Sequence, residues 1–183
     1  IDGDGLSGFD PMDGLEAWYD FENVTGNAVP DRNDKYPATL YNGAAVSPVG
    51  RYGVGISIPT SGPSNDRARL QINNATGIDV DGVWTGSAWF KKLYPQGQWR
   101  TLFRGEGGNH VPIINRYSDE LGFYDNETGR GWISSGFEMK VSDYPDWHHL
   151  VVVADGTKSD FYIDGNHVAW VDQVSKTDIS IIG

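Results

Sequence analysis

Trp147-His148-His149-Leu150-Val151-Val152-Val153-Ala154, then Ser159-Asp160-Phe161-Tyr162-Ile163-Asp164-Gly165, then His167 to Asp172 form the most strongly patterned part of this chain. The first block, from His148 to Ala154, is an apolar run rich in β-branched valine, as expected of a buried strand. The second alternates, and its Asp-Gly pair stands between two strand-like runs. Asp and Gly both tolerate positive φ, so the pair suits a two-residue hairpin turn. Successive antiparallel strands are therefore expected at this end.

The same period-2 logic extends towards the N-terminus. In the run from Leu15 to Glu22, residues Leu15, Ala17, Tyr19 and Phe21 share one face, and Glu16, Trp18, Asp20 and Glu22 the other, which predicts a first strand. Short strands are also expected at 38–41 (followed by the turn pair Asn42-Gly43), 55–58, 68–72, 85–90, 99–104, 111–114, 121–124, 132–133 and 137–141. No segment sustains a 3.6-residue period. With 24 Gly and 9 Pro to supply turns, the chain reads as all-β, a two-sheet antiparallel jelly-roll sandwich. A length of 183 residues suits one such domain. Residues 1–14, rich in Asp and Gly, read as a lead-in or linker, and 15–183 as the sandwich.

A formal net charge of −11 argues against nucleic acid, and no run of apolar residues is long enough for membrane insertion. With no Cys there is neither a disulfide framework nor a thiolate metal site. The N-terminus lacks a basic segment and an apolar core of signal-peptide type, so the chain reads as mature or as a fragment.

Three stretches together resemble the laminin-G-like family of concanavalin-A-like jelly rolls. They are Gly14 to Glu22 with Val29-Pro30-Asp31 and Leu40-Tyr41-Asn42-Gly43; the central Gly86-Ser87-Ala88-Trp89-Phe90-Lys91; and the Trp147-His148 strand with the hairpin Tyr162-Ile163-Asp164-Gly165. The resemblance implies a secreted or cell-surface recognition module, not an enzyme, that binds a glycan or a surface protein. A structural subunit of a filament, adhesive stalk or coat is the alternative. Related glycoside hydrolases carry a Glu-x-Asp-x-x-Glu strand, which this chain lacks. Such domains also continue past the equivalent of Ile179-Ser180-Ile181-Ile182-Gly183 into one more strand. The sandwich is thus expected to lack a final strand, with the gap filled by an early segment of the chain, by downstream residues or by a strand-donating neighbour, or to form a homo-oligomer.

Sugar binding needs aromatic rings at the surface beside polar groups. Trp84, Trp99, Trp132, Tyr117 and Tyr124, with Asn115 and Arg130, lie at strand ends or beside turns and are the candidate ligand-binding set. Trp18, Trp89 and Trp147 are expected in the core. Calcium is a candidate structural ion: Asp2, Asp4 and Asp10 resemble part of a thrombospondin type 3 loop, and Asp20, Glu22 and Asp31 loosely match the acids that hold calcium in laminin-G-like relatives. His148 and His149 point to opposite faces of a strand and do not make a metal pair. Asn23, Asn74 and Asn126 each begin an Asn-x-Thr glycosylation acceptor.

Overall fold

Alternating apolar runs separated by turn residues fold as the pattern dictates. The computed structural model describes residues 12–59, 67–74, 76–93, 97–105, 107–140 and 142–183. Its strands are β1 (Ala28–Val29), β2 (Ala38–Tyr41), β3 (Ala45–Ser47), β4 (Gly55–Ser57), β5 (Arg69–Ile72), β6 (Val83–Lys91), β7 (Arg100–Arg104), β8 (His110–Ile114), β9 (Glu120–Asp125), β10 (Gly131–Glu138), β11 (Trp147–Asp155), β12 (Ser159–Ile163), β13 (Asn166–Val171) and β14 (Ile181–Ile182). There is no helix among the described residues. A large sheet has the order β1-β2-β5-β14-β7-β8-β9-β10, a small sheet β13-β12-β11-β6, and β3-β4 forms a separate ribbon. The ladders are antiparallel throughout.

The hairpin between β12 and β13 turns at Asp164 and Gly165, at φ 51° and 80°. Asn42 and Gly43, at 54° and 90°, do the same after β2. The main core lies between the sheets. Phe90, Leu150, Val152, Phe161, Ile163 and Val171 of the small sheet meet Val111, Ile114, Leu121 and Phe123 of the large one, with Met139 beside them. A second cluster, around Leu40, Leu70 and Ile72, is covered by Tyr19, Phe21, Ile56 and Ile58 and not by the small sheet.

Two expectations need correction. The run from Leu15 to Phe21 joins no ladder, although Ala17, Tyr19 and Phe21 still turn towards the second cluster and Trp18 outward. Alternation describes side chains, but a ladder also needs successive backbone bonds to one neighbour, and among the described residues this run makes only isolated ones, such as that from the Arg32 N–H to the Trp18 carbonyl at 2.9 Å. Residues 137–138 extend β10 across a register shift between Ser134 and Glu138, so no separate strand begins there.

Candidate ligand-binding face

Register places one row of side chains across the outer surface of the large sheet. Thr39 faces Gln71, Gln71 faces Ile181, Ile181 faces Arg104, Arg104 faces His110, His110 faces Tyr124 and Tyr124 faces Trp132. Their chain neighbours Leu70, Ile182, Phe103, Val111 and Phe123 point into the core instead. Trp99, just before β7, brings its ring to 5.6 Å from Tyr124 and 5.5 Å from Trp132. All three rings are half-buried. Trp132 lies across Gly122, where a Cβ would stand 2.6 Å from the indole, so a side chain there would lift the ring.

His110 continues the patch, its ring 6.2 Å from Tyr124. Its Nδ1 is buried and finds no hydrogen-bond partner among the described residues. Burial, reinforced by the positive Arg104 and Arg67, pushes the imidazole down to about 4, so it is neutral at pH 7. The face thus offers flat apolar rings next to hydrogen-bonding and cationic groups, a combination suited to a polyhydroxylated ligand.

Of the candidate ligand-binding residues, Trp99, Tyr124 and Trp132 come together and the others do not. Asn115 is buried and accepts from the Tyr117 N–H at 2.8 Å, holding the β8–β9 turn. Tyr117 is 76% exposed on that turn, beneath the Arg116 guanidinium. Arg130 donates to Gln173 at 3.0 Å and pairs with Asp172 at 3.3 Å. Trp84 is corrected to an interior position: it sits edge-on to Phe103, and its Nε1 donates to the Ser175 carbonyl at 3.2 Å. Its neighbours along β6, Val83 and Thr85, take the outer face. Reading the sequence missed His110, because only register sets it beside Tyr124.

Trp18 and Trp89 are corrected in the opposite sense, being 47% and 39% exposed. Phe90 takes the inward position that Trp89 was expected to fill. Trp89 stacks on its cross-strand partner His149 at 5.0 Å, Tyr52 meets it edge-on at 5.7 Å, and the Arg51 guanidinium lies 4.9 Å from its ring. Trp147, half-buried, shares this outer face of the small sheet.

The first-strand acids do not fit a calcium cage. Asp31 is buried and accepts from the backbone N–H groups of Trp18, Asn33, Lys35 and Tyr36, which occupies its oxygens in building the loop. Asp20 is ion-paired with Arg32, and Glu22 accepts from the Val54 N–H at 3.1 Å. Among the described residues no three His, Cys, Asp or Glu are grouped to hold a metal. Asp2, Asp4 and Asp10 lie outside the described residues. Asn23, Asn74 and Asn126 are all exposed, but Asn74 and Asn126 use their amide Nδ2 to donate to the carbonyls of Gly77 and Gly108. No helix among the described residues is long and apolar enough to cross a membrane.

A laminin G family model, described as the concanavalin A-like lectin/glucanases superfamily, matches residues 64–179. No curated protein and no solved structure matches the chain. With well over half the chain matched and two antiparallel sheets packed around a common core, the chain belongs to the concanavalin A-like lectin/glucanases superfamily.

Proposed function

We propose that this domain is an extracellular, non-catalytic recognition module that binds carbohydrate on the outer face of β7–β10. The observation that carries the reading is the cluster of Trp99, Tyr124 and Trp132, three half-buried rings in mutual contact beside His110 and Arg104. A pyranose packs its C–H face on such rings, and its hydroxyls take hydrogen bonds from the polar neighbours. Hydrolysis is the weaker reading. Glu120 and Glu138 are cross-strand partners at one end of this face, but Glu120 accepts from Ser118 at 2.8 Å and Glu138 pairs with Lys140 at 2.9 Å. Each carboxylate is thus committed to a neighbour on its own stretch of chain, not to a shared cleft.

The test is calorimetric titration with a panel of neutral and uronic-acid oligosaccharides. Trp132→Ala is expected to weaken binding by at least about tenfold while costing under about 1 kcal/mol of stability. Phe123→Ala, a core truncation, should cost roughly 3–5 kcal/mol. Absence of binding across the panel, or equal destabilisation by both variants, would overturn the reading. A protein ligand is the second reading, favoured by the exposed group of Arg51, Tyr52 and Trp89, whose residue types dominate protein-binding hot spots.

A further inference from the structure

Along the outer face of the large sheet, register sets Thr39, Gln71, Ile181, Arg104, His110 and Tyr124 on neighbouring strands with no acid among them. Tyr41 and Arg69 are the next outward pair on β2 and β5. In a chain with 25 acidic against 14 basic residues, such a stretch departs from the character of the whole. Elsewhere Arg32, Lys35, Lys91, Arg130, Lys140 and Lys158 each pair with a carboxylate. Arg67 and Arg69 pair with none among the described residues.

Arg69 is pinned by neutral neighbours instead. Its guanidinium lies 5.3 Å from the centre of the Tyr41 ring, its Nε donates to Gln71 Oε1 at 3.0 Å, and its Nη1 donates to the Arg67 carbonyl at 3.3 Å. These contacts fix the direction of the side chain and leave its charge uncompensated. A guanidinium held in this way loses little freedom when it takes an anion. Arg104 and Arg67 act on the same surface: after burial, theirs are the charges that hold the His110 imidazole neutral. Glu120 and Glu138, cross-strand partners, stand at the opposite ends of β9 and β10 from Tyr124 and Trp132.

Neighbouring strands lie about 4.8 Å apart, so Tyr124 and the strand of Arg69 are separated by roughly 19 Å across β8, β7 and β14. A ligand that reaches both is longer than one or two sugar rings. We propose, building on the carbohydrate reading of this face, that its ligand is an acidic polysaccharide lying across the strands. Its rings pack at Trp99, Tyr124 and Trp132, and its anionic groups, carboxylate or sulfate, are held by Arg104, Arg69 and Arg67. The planar fork of arginine meets either oxyanion with paired N–H donors. The ring cluster selects for sugar, and the arginines select for its charge.

The test is calorimetric titration of the full 183-residue chain with a hexamer of galacturonic acid and with the same hexamer methyl-esterified, which keeps the rings and loses the charge. A sulfated galactose hexamer and its unsulfated parent form a second pair, which separates sulfate from carboxylate as the source of the anion. In at least one pair the charged member is expected to bind at least about tenfold tighter, with the gap closing as salt is raised. That hexamer should also outbind its own disaccharide. Arg69→Gln should narrow the gap and leave the uncharged hexamer's affinity unchanged, whereas Trp132→Ala should weaken charged and uncharged hexamers alike. The comparison of charged with uncharged sugar on the unaltered chain does not depend on how either variant folds. Equal affinity within both pairs, lost on Trp132→Ala, would overturn the acidic ligand and leave the carbohydrate reading standing. No binding of any hexamer would overturn both. A six-nucleotide oligothymidylate binding as tightly as the best hexamer would also overturn the proposal, because the row would then be a track for any polyanion.

Discussion

His110 shows how a single side chain reports the environment of the ligand-binding face. Unfolded, its imidazole titrates near 6.5; folded, burial and the positive Arg104 and Arg67 hold it near 4. Between those values the unfolded chain binds a proton that the folded chain does not. The stability involved is therefore complete above pH 6.5 and lost as pH falls towards 4. At about 1.4 kcal/mol per unit, the loss reaches roughly 2 kcal/mol at pH 4.5. Urea unfolding at pH 7 and pH 4.5 checks this: the wild type should lose about 2 kcal/mol more than His110→Gln over that interval. Equal losses would mean that the buried ring is not what the acid attacks. Asp31 is the opposite kind of residue, a carboxylate consumed by four backbone donors, so it shapes the loop under Trp18 and offers no lone pair to a cation.

At the level of elements, the decisive pair is β9 with β10. Gly122 opposes Ser134 and lies beneath the indole of Trp132, and a Cβ added there would also press on the Ile133 carbonyl oxygen. That neighbour is backbone, which yields only by moving the strand. Gly122→Ala is therefore expected to cost about 1–3 kcal/mol and to reduce sugar affinity together with stability, as read by thermal melting and by titration. Unchanged affinity would show that Trp132 does not need its seat on Gly122. The hairpin from β12 to β13 was legible in the sequence because Asp164-Gly165 carries its own backbone instruction, φ above zero at both positions. The run from Leu15 to Phe21 has alternation without such an instruction, and its lack of pairing follows from what lies beside it in space.

For the whole molecule, a charge of −11 sets a uniform self-repulsion against surface ion pairs such as Arg32 with Asp20 and Lys91 with Asp146. Exposed pairs contribute about 0–1 kcal/mol each. The net repulsion should dominate, and raising NaCl from about 10 mM to about 150 mM, which shortens the Debye length from roughly 30 to 8 Å, is expected to raise the melting temperature by about 2 °C. A fall in scanning calorimetry would put the ion pairs ahead. Composition, turn pairs and period-2 alternation were enough to establish an all-β sandwich and most of its strands, because they act on each strand locally. They did not say which face of β6 turns inward, so Trp89 was expected in a core that Phe90 fills and Trp84 on a binding surface, whereas its ring turns inward against Phe103. Nor did they unite His110 with Tyr124 and Trp132. Those outcomes depend on register and strand order, which are set by contacts between residues far apart in the chain. A period of two is identical whichever face, and whichever neighbour, the folded protein chooses.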